Sequence, residues 1–145
     1  MPYKANKTNK REIIVLTFGT FDLFHIGHLN ILRRGKQLGT KLVVGVSSDA
    51  LNFKKKAKTP TIPEEHRMQI VKALSVVDEV FLEESLELKG EYIERYSADV
   101  VVMGNDWTGR FDHFADSHDC KVIYLPRTPF VSSTQLKKQI QERRE

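Results

Sequence analysis

The apolar run Ile13 to Thr17 leads through Gly19-Thr20-Phe21-Asp22-Leu23-Phe24-His25-Ile26-Gly27-His28 into the amphipathic stretch Leu29 to Leu38. This pattern predicts a strand that hands over to a helix through a glycine-bearing turn. The free N–H groups and positive dipole end of a helix N-terminus attract anions, phosphate above all. His25 and His28 stand at that end, where imidazoles can donate hydrogen bonds to phosphoryl oxygens as charge builds on them. Gly27 between them allows close approach of the backbone, or serves as a simple turn glycine.

The alternation of short β-rich runs with helical patterns continues to the end of the chain. Strands are expected near Ile13–Thr17, Leu42–Val46, Glu79–Leu82, Val100–Met103 and Lys121–Leu125, and helices near Leu29–Leu38, Glu64–Leu74, Leu86–Tyr96 and Ser133–Arg143. Gly39 is placed to stop the first helix, and Pro63 before Glu64 and Glu65 to start the second. Strands of near-continuous Val, Ile and Leu, each followed by a helix, predict an α/β fold: a parallel five-stranded sheet with helices on both faces. Ligands of such sheets sit beyond the carboxyl ends of the strands, where the strand order reverses. The polar motifs fall at those ends: after the first strand, after Met103 and after Leu125.

Composition narrows the ligand. The chain has 145 residues, 40% of them hydrophobic, enough for one domain with a real core, expected over 12–145. Residues 1–11, polar, basic and without periodicity, read as a flexible tail. The excess of 23 basic over 19 acidic residues, net +4, suits anionic small molecules and makes nucleic acid the lesser expectation. No apolar run reaches the roughly 18 residues of a membrane span, and the N-terminus lacks the apolar core of a signal peptide, so no membrane insertion and a cytoplasmic location are expected. The single cysteine, Cys120, excludes an internal disulfide and is expected to fill a core strand.

Further residues invite the same phosphate chemistry. Lys54-Lys55-Lys56-Ala57-Lys58 follows the second strand at the ligand edge, where a loop could fold lysines over phosphates. Gly104-Asn105-Asp106-Trp107 follows the fourth strand; Trp107 serves equally well as a packing anchor. Arg127-Thr128 and Ser132-Ser133-Thr134 precede the last helix, where hydroxyls cap the helix or, with a fixed cation upstream, hold a polyphosphate. Lys89, in Ser85-Leu86-Glu87-Leu88-Lys89-Gly90, reads as an ordinary exposed helix start, and Gly90 as a local bend. His66 reads as surface, Arg67 as able to reach an anion, and His113 and His118 as solvated, with spacings that match no metal template.

With these motifs in this order, GTFDLFHIGH at 19–28, VVDEV at 76–80, VMGNDWTGRFD at 102–112 and YLPRTPFVSST at 124–134, the chain resembles the small cytidylyltransferases of the nucleotidyltransferase α/β-phosphodiesterase superfamily, and within them the glycerol-3-phosphate cytidylyltransferases. The resemblance implies a Rossmann-like fold and transfer of CMP from CTP to a small phosphorylated alcohol, chiefly sn-glycerol 3-phosphate, giving CDP-glycerol and pyrophosphate for cell-surface polymer synthesis such as teichoic acid or capsule. It implies catalytic roles for His25, His28, Lys55 and Arg127, with His28 nearer the departing pyrophosphate. Nucleotide contacts fall to Thr20, Phe21, Gly27, Asp106, Trp107, Arg127, Thr128, Ser132, Ser133 and Thr134, and acceptor contacts to Lys55, Lys89 and Asp22. Mg²⁺ is expected with the triphosphate and without dedicated protein ligands. A homodimer is also implied.

The chain departs from the family pattern at three places. Ala57 stands where a second lysine is expected, which leaves Lys56 and Lys58 as the candidates to substitute. Asn105 replaces the first of two acidic residues. Ser75 replaces an arginine, and Lys72, three residues earlier on the same helical face, is expected to supply the missing charge. Two rival readings remain: an adenylyltransferase for FMN or a sugar phosphate, suggested by Pro63-Glu64-Glu65-His66-Arg67, and a non-catalytic nucleotide-binding module. The HIGH string also resembles class I aminoacyl-tRNA synthetases, but 145 residues leave no room for tRNA-binding domains.

Overall fold

The structure, a computed structural model, describes residues 12–143, so the tail read at 1–11 lies outside the described residues. Five strands, β1 (Ile14–Gly19), β2 (Lys41–Ser47), β3 (Glu79–Glu83), β4 (Val100–Gly104) and β5 (Lys121–Leu125), form one parallel sheet in the order β3-β2-β1-β4-β5. Alternating residues feed opposite faces. Ile14, Leu16 and Phe18 join Val43, Phe81, Val101 and Met103 against Tyr92 and Ile93 of α4 (Lys89–Arg95). Val15 joins Leu42, Val44, Val46 and Val102 on the other face, covered by Leu32 of α1 (Ile26–Gln37) and Val71 of α3 (Glu64–Lys72). Each such side chain, sealed from water, contributes roughly 1.5–3 kcal/mol. Together they make the central strands rigid supports for the loops at their carboxyl ends.

The strand order reverses between β1 and β4, which places the crevice beside the turn after β1, as the alternation pattern predicts. Most boundaries agree to within two or three residues, including Pro63 at the head of α3. Three elements differ. The lysine run is not a loop: it forms the last turn of α2 (Asp49–Lys56), which Ser48 caps by accepting from Leu51 N–H and which ends with Ala57 in the left-handed conformation at φ 60°. The pattern Leu86–Tyr96 splits into a 3₁₀ turn, Leu86–Leu88, followed by α4. A short helix, α5 (Phe114–Ser117), occupies the stretch between His113 and His118, and Cys120 is buried one residue ahead of β5. The final helix is α6 (Ser133–Glu142). Gly90 stands in the first turn of α4, just past its junction with the 3₁₀ turn, where a β-carbon would meet His118 Nε2 at 2.9 Å.

One expectation fails on topology. Lys72 ends α3, and Asp78 just beyond Ser75 binds the start of β2, its N–H donating to Leu42 O at 2.9 Å. Lys72 and Ser75 therefore lie at the amino edge of the parallel sheet, opposite the crevice. Helical spacing places the two side by side but cannot tell which end of the sheet they occupy, so Lys72 does not supply charge to the phosphates of its own chain.

Candidate active site

The histidine turn is built by its own backbone. His25 caps α1: its Nδ1 accepts from Gly27 N–H at 3.0 Å, while His28 Nδ1 accepts from His25 N–H at 3.2 Å. Each neutral ring thus uses Nδ1 as an acceptor, and the proton must sit on Nε2. Both imidazoles line a cavity of about 780 Å³ and offer it an Nε2–H donor. Gly27 is required because a β-carbon there would lie 2.9 Å from His25 Cε1. The rings stack with centroids 3.8 Å apart, and His28 packs on Phe21 and Phe24 at 5.4 and 5.2 Å. Burial, then the proximity of Arg127, lowers the pKa of His25. Burial foremost, then His25 and Arg127, pushes that of His28 down to about 4 against the pull of Asp22. Both rings are neutral donors at pH 7.

The turn that carries them is strained. Phe21 and Leu23 adopt φ of 56° and 49°, a region costly for residues with a β-carbon. Asp22 between them holds it: its carboxylate, 6% exposed, accepts from Thr61 and Ile62 N–H at 2.8 and 2.9 Å and pairs with Lys137 at 3.4 Å. Burial alone would raise the Asp22 pKa, but those two N–H bonds and Lys137 hold it below the usual range. Asp22, expected at the acceptor, instead lines the larger cavity and clasps the loop. Arg67, expected to reach an anion, is 1% exposed and spends its guanidinium on Ile62 O, Thr20 O, Ser47 O and Asp49. It ties the ends of β1 and β2 together, and no anion can reach it.

Around the larger cavity stand Thr20, Phe21, Gly27, Asp106, Arg127, Thr128, Ser132, Ser133 and Thr134, so nine of the ten expected nucleotide residues meet there. Ser132 caps α6, its Oγ accepting from Gln135 N–H at 3.0 Å, and Ser133 Oγ donates to Asp22 O. Arg127 reaches across to Asp106 at 3.5 Å, both side chains half-exposed. Helix α1 fixes the segment before it, through Arg34 to Pro126 O at 3.1 Å and Asn30 to Thr128 Oγ1 at 3.0 Å. Lys56 and Lys58 both line this cavity, so either side of Ala57 offers the second lysine.

A smaller cavity of about 410 Å³ adjoins the first, and Phe18, Gly19, Thr20, Lys56 and Asp106 border both. Lys55 and Lys89 line it, and so does Trp107, which was expected at the nucleotide. Lys89 is not exposed: it is 3% accessible, paired with the equally buried Glu83, and stands 3.8 Å over the Phe18 ring. Burial lowers the pKa of Lys89 and of Lys55, Glu83 opposes the shift in both, and a neighbouring lysine adds to it.

Sequence reasoning missed several residues here. Lys137 lies one turn after Ser133 on α6, so helical periodicity alone would have aimed it at the same cavity. Asn52, buried and bonded to Thr20 Oγ1 at 2.9 Å, belongs to a helix that the lysine-rich composition concealed. Asn30 and Glu83 carry no local signal, because their partners are 98 and six residues away along the chain and are set by the tertiary fold. Among the described residues no group of three or more His, Cys, Asp or Glu could hold a metal ion, and no helix is long and apolar enough to cross a membrane.

The cytidylyltransferase-like family model matches residues 16–139, which span every element named above except the first two residues of β1 and the last turn of α6. The chain belongs to this family. It is 46% identical over 126 residues to the glycerol-3-phosphate cytidylyltransferase of Bacillus subtilis, covering 87% of this chain and 95% of that one. The enzyme of the same description from Staphylococcus aureus is 39% identical over 126 residues, covering 87% and 93%. A FAD synthase from Pyrococcus abyssi is 36% identical over 96 residues, covering 66% and 65%. A lipopolysaccharide core biosynthesis protein from Thermoplasma volcanium shares the fold with a TM-score of 0.69 at 24% identity, over 83% of this chain and 99% of that one.

Proposed function

We propose that this protein transfers CMP from CTP to sn-glycerol 3-phosphate, releasing pyrophosphate and CDP-glycerol. The observation that carries the reading is the pair of adjoining cavities, both cationic, that meet at Thr20, Lys56 and Asp106. The triphosphate occupies the larger, among His25, His28, Arg127, Lys137 and the amino end of α6. The acceptor phosphate occupies the smaller, on Lys55 and Lys89. An acceptor phosphate oxygen then attacks the α-phosphorus, a new P–O bond forms, and the bond to the β-phosphate bridging oxygen breaks with its electrons leaving on pyrophosphate. Such transfers are catalysed mainly by positioning and charge stabilisation, so no covalent enzyme intermediate is needed.

The two Nε2–H donors suit this chemistry. They bond to phosphoryl oxygens without surrendering a proton, and burial lets them act at low local dielectric. Arg127, released from its exposed pair with Asp106, turns to the triphosphate, and Asp106 is left to accept from a donor of the base or ribose. Mg²⁺ would be carried by the triphosphate and would neutralise part of its charge; among the described residues Asp22 is the only buried carboxylate at the larger cavity, and it is already committed to Thr61, Ile62 and Lys137. A homodimer in the cytoplasm is the working form under this reading. The similarity to FAD synthases supports a second reading, adenylyl transfer from ATP to FMN. A panel of CTP, ATP, GTP and UTP against glycerol 3-phosphate, other polyol phosphates and FMN, read by pyrophosphate release, tests both. CTP with glycerol 3-phosphate is expected to give the highest turnover, and a preference for ATP would move the protein to the adenylyltransferase branch.

A further inference from the structure

Glu83, the last residue of β3, borders the smaller cavity and has no part in the transfer described above. It is 1% exposed, accepts from Ser47 Oγ at 3.0 Å through one carboxylate oxygen and binds Lys89 Nζ through the other. Ser47 ends β2, so two neighbouring strands fix the carboxylate in place. Lys89 lies at the first turn of α4, above the Phe18 ring at 3.8 Å and with the Phe111 ring at 5.4 Å. We propose that Glu83 is a positioning residue for the acceptor: it holds Lys89 as a cation aimed into the smaller cavity, so that the subsite meets an incoming phosphomonoester with two charged lysines. The inference rests on that cavity's being the acceptor subsite.

The charges around Lys89 demand such an anion. An ammonium group this deeply buried sheds its proton unless paired. Its other charged neighbours at the cavity, Lys55 and Lys56 of α2, push in the same direction, and the aromatic faces return only a modest attraction. Asp106 also borders the cavity, but it is exposed and engaged by Arg127. Glu83 is thus the one buried carboxylate beside Lys89 among the described residues. Without it, Lys89 would become neutral as the pH rises through the working range, and a neutral amine offers a phosphate dianion far less. With it, the lysine stays cationic. The incoming dianion then binds a site already charged and fixed, with no long side chain to order.

Glu83→Gln keeps the shape and the bond to Ser47 but removes the charge. Steady-state kinetics at saturating CTP between pH 6.5 and 9 should show its KM for glycerol 3-phosphate within about threefold of wild type at pH 6.5 and at least tenfold higher at pH 8.5. Its kcat should stay within about threefold throughout. Glu83→Asp should retain the flat wild-type profile, with a KM raised at every pH by its shorter reach. Parallel profiles for Glu83→Gln and wild type overturn the proposal, as does a fall in kcat with KM unmoved. A second readout needs no turnover: the NMR titration of the Lys89 Cε signal, assigned by its loss in Lys89→Arg, should move at least one pH unit lower in Glu83→Gln. Should that variant fail to fold, the wild-type titration decides, since Lys89 must be protonated at pH 8 and a neutral Lys89 there refutes the role. A wild-type enzyme that uses no phosphorylated acceptor at all defeats the functional reading instead, and the NMR titration still decides the charge of Lys89.

Discussion

Burial of His28 makes the stability of this fold depend on pH in a way that one substitution can isolate. The imidazole titrates at about 4 in the folded chain against an ordinary 6.5. A histidine with a depressed folded pKa binds its proton first in the unfolded state, so stability is fully present above 6.5 and is lost as pH falls toward 4. The loss amounts to about 1.4 kcal/mol at pH 5.5 and about 2.5 kcal/mol at pH 4.5. His28→Asn removes the titration and keeps the cap, because an Asn Oδ1 stands where Nδ1 accepts from His25 N–H. Packing on Phe21 and Phe24 is sacrificed, which lowers stability equally at every pH. Urea unfolding of both proteins at pH 7.5, 5.5 and 4.5 should therefore show the gap between them narrowing by those amounts as the pH falls. A gap that stays constant to within about 0.5 kcal/mol from pH 7.5 to 4.5 would refute the buried, neutral assignment of His28 and with it the fixed Nε2–H tautomer.

Other consequences can be checked more briefly. His28→Ala should lower kcat at least ~10²-fold, the loss expected for one donor acting on developing charge, with a folded circular dichroism spectrum; a rise in KM alone would reduce the residue to a binding contact. Arg67→Ala should cost about 3–5 kcal/mol in unfolding free energy, since it deletes the buried guanidinium and strands three carbonyls and Asp49 around the space it leaves, and it should not be rescued by added phosphate. Lys72→Ala should leave kcat/KM for both substrates within about twofold, because its side chain lies at the amino edge of the sheet; a tenfold fall would show that the residue reaches a phosphate after all.

The sheet was legible because its central strands β1, β2 and β4 are buried on both faces and read as near-continuous apolar runs, while the helices between the strands keep a stripe. The crevice followed from the same pattern, since parallel strands put every connecting turn of one kind at one edge. What stayed hidden is instructive. Helix α2 escaped because only Leu51 and Asn52 on it are buried, too few for a periodicity to appear above five residues of lysine and alanine. Lys89 looked exposed because burial of a charge depends on its partner, and Glu83 is a neighbour only once β3 and α4 fold together. Lys72 was misplaced for a related reason: periodicity reports which residues share a face, and the end of the sheet they occupy is a property of strand direction.

The residues that sequence reasoning placed well and those it placed poorly also differ in what they touch. His25, His28, Arg127 and the Ser132–Thr134 cap each lie in an unbroken local motif, and all of them line the larger cavity. Asp22 lies in the histidine motif and Arg67 in the segment 63–67, yet their charges are consumed within the protein: Asp22 by Thr61, Ile62 and Lys137, Arg67 by Thr20, Ser47, Ile62 and Asp49. The division follows from strain. A turn that holds Phe21 and Leu23 at positive φ needs roughly 1–3 kcal/mol of compensation for each, and buried charge-assisted bonds to main-chain groups on either side of it are strong enough to supply that. Motif residues in this crevice thus have two jobs. Under the proposed function, those that keep a polar atom free for the cavity meet the nucleotide, and those whose charges are wholly taken up hold the turn that carries the first set.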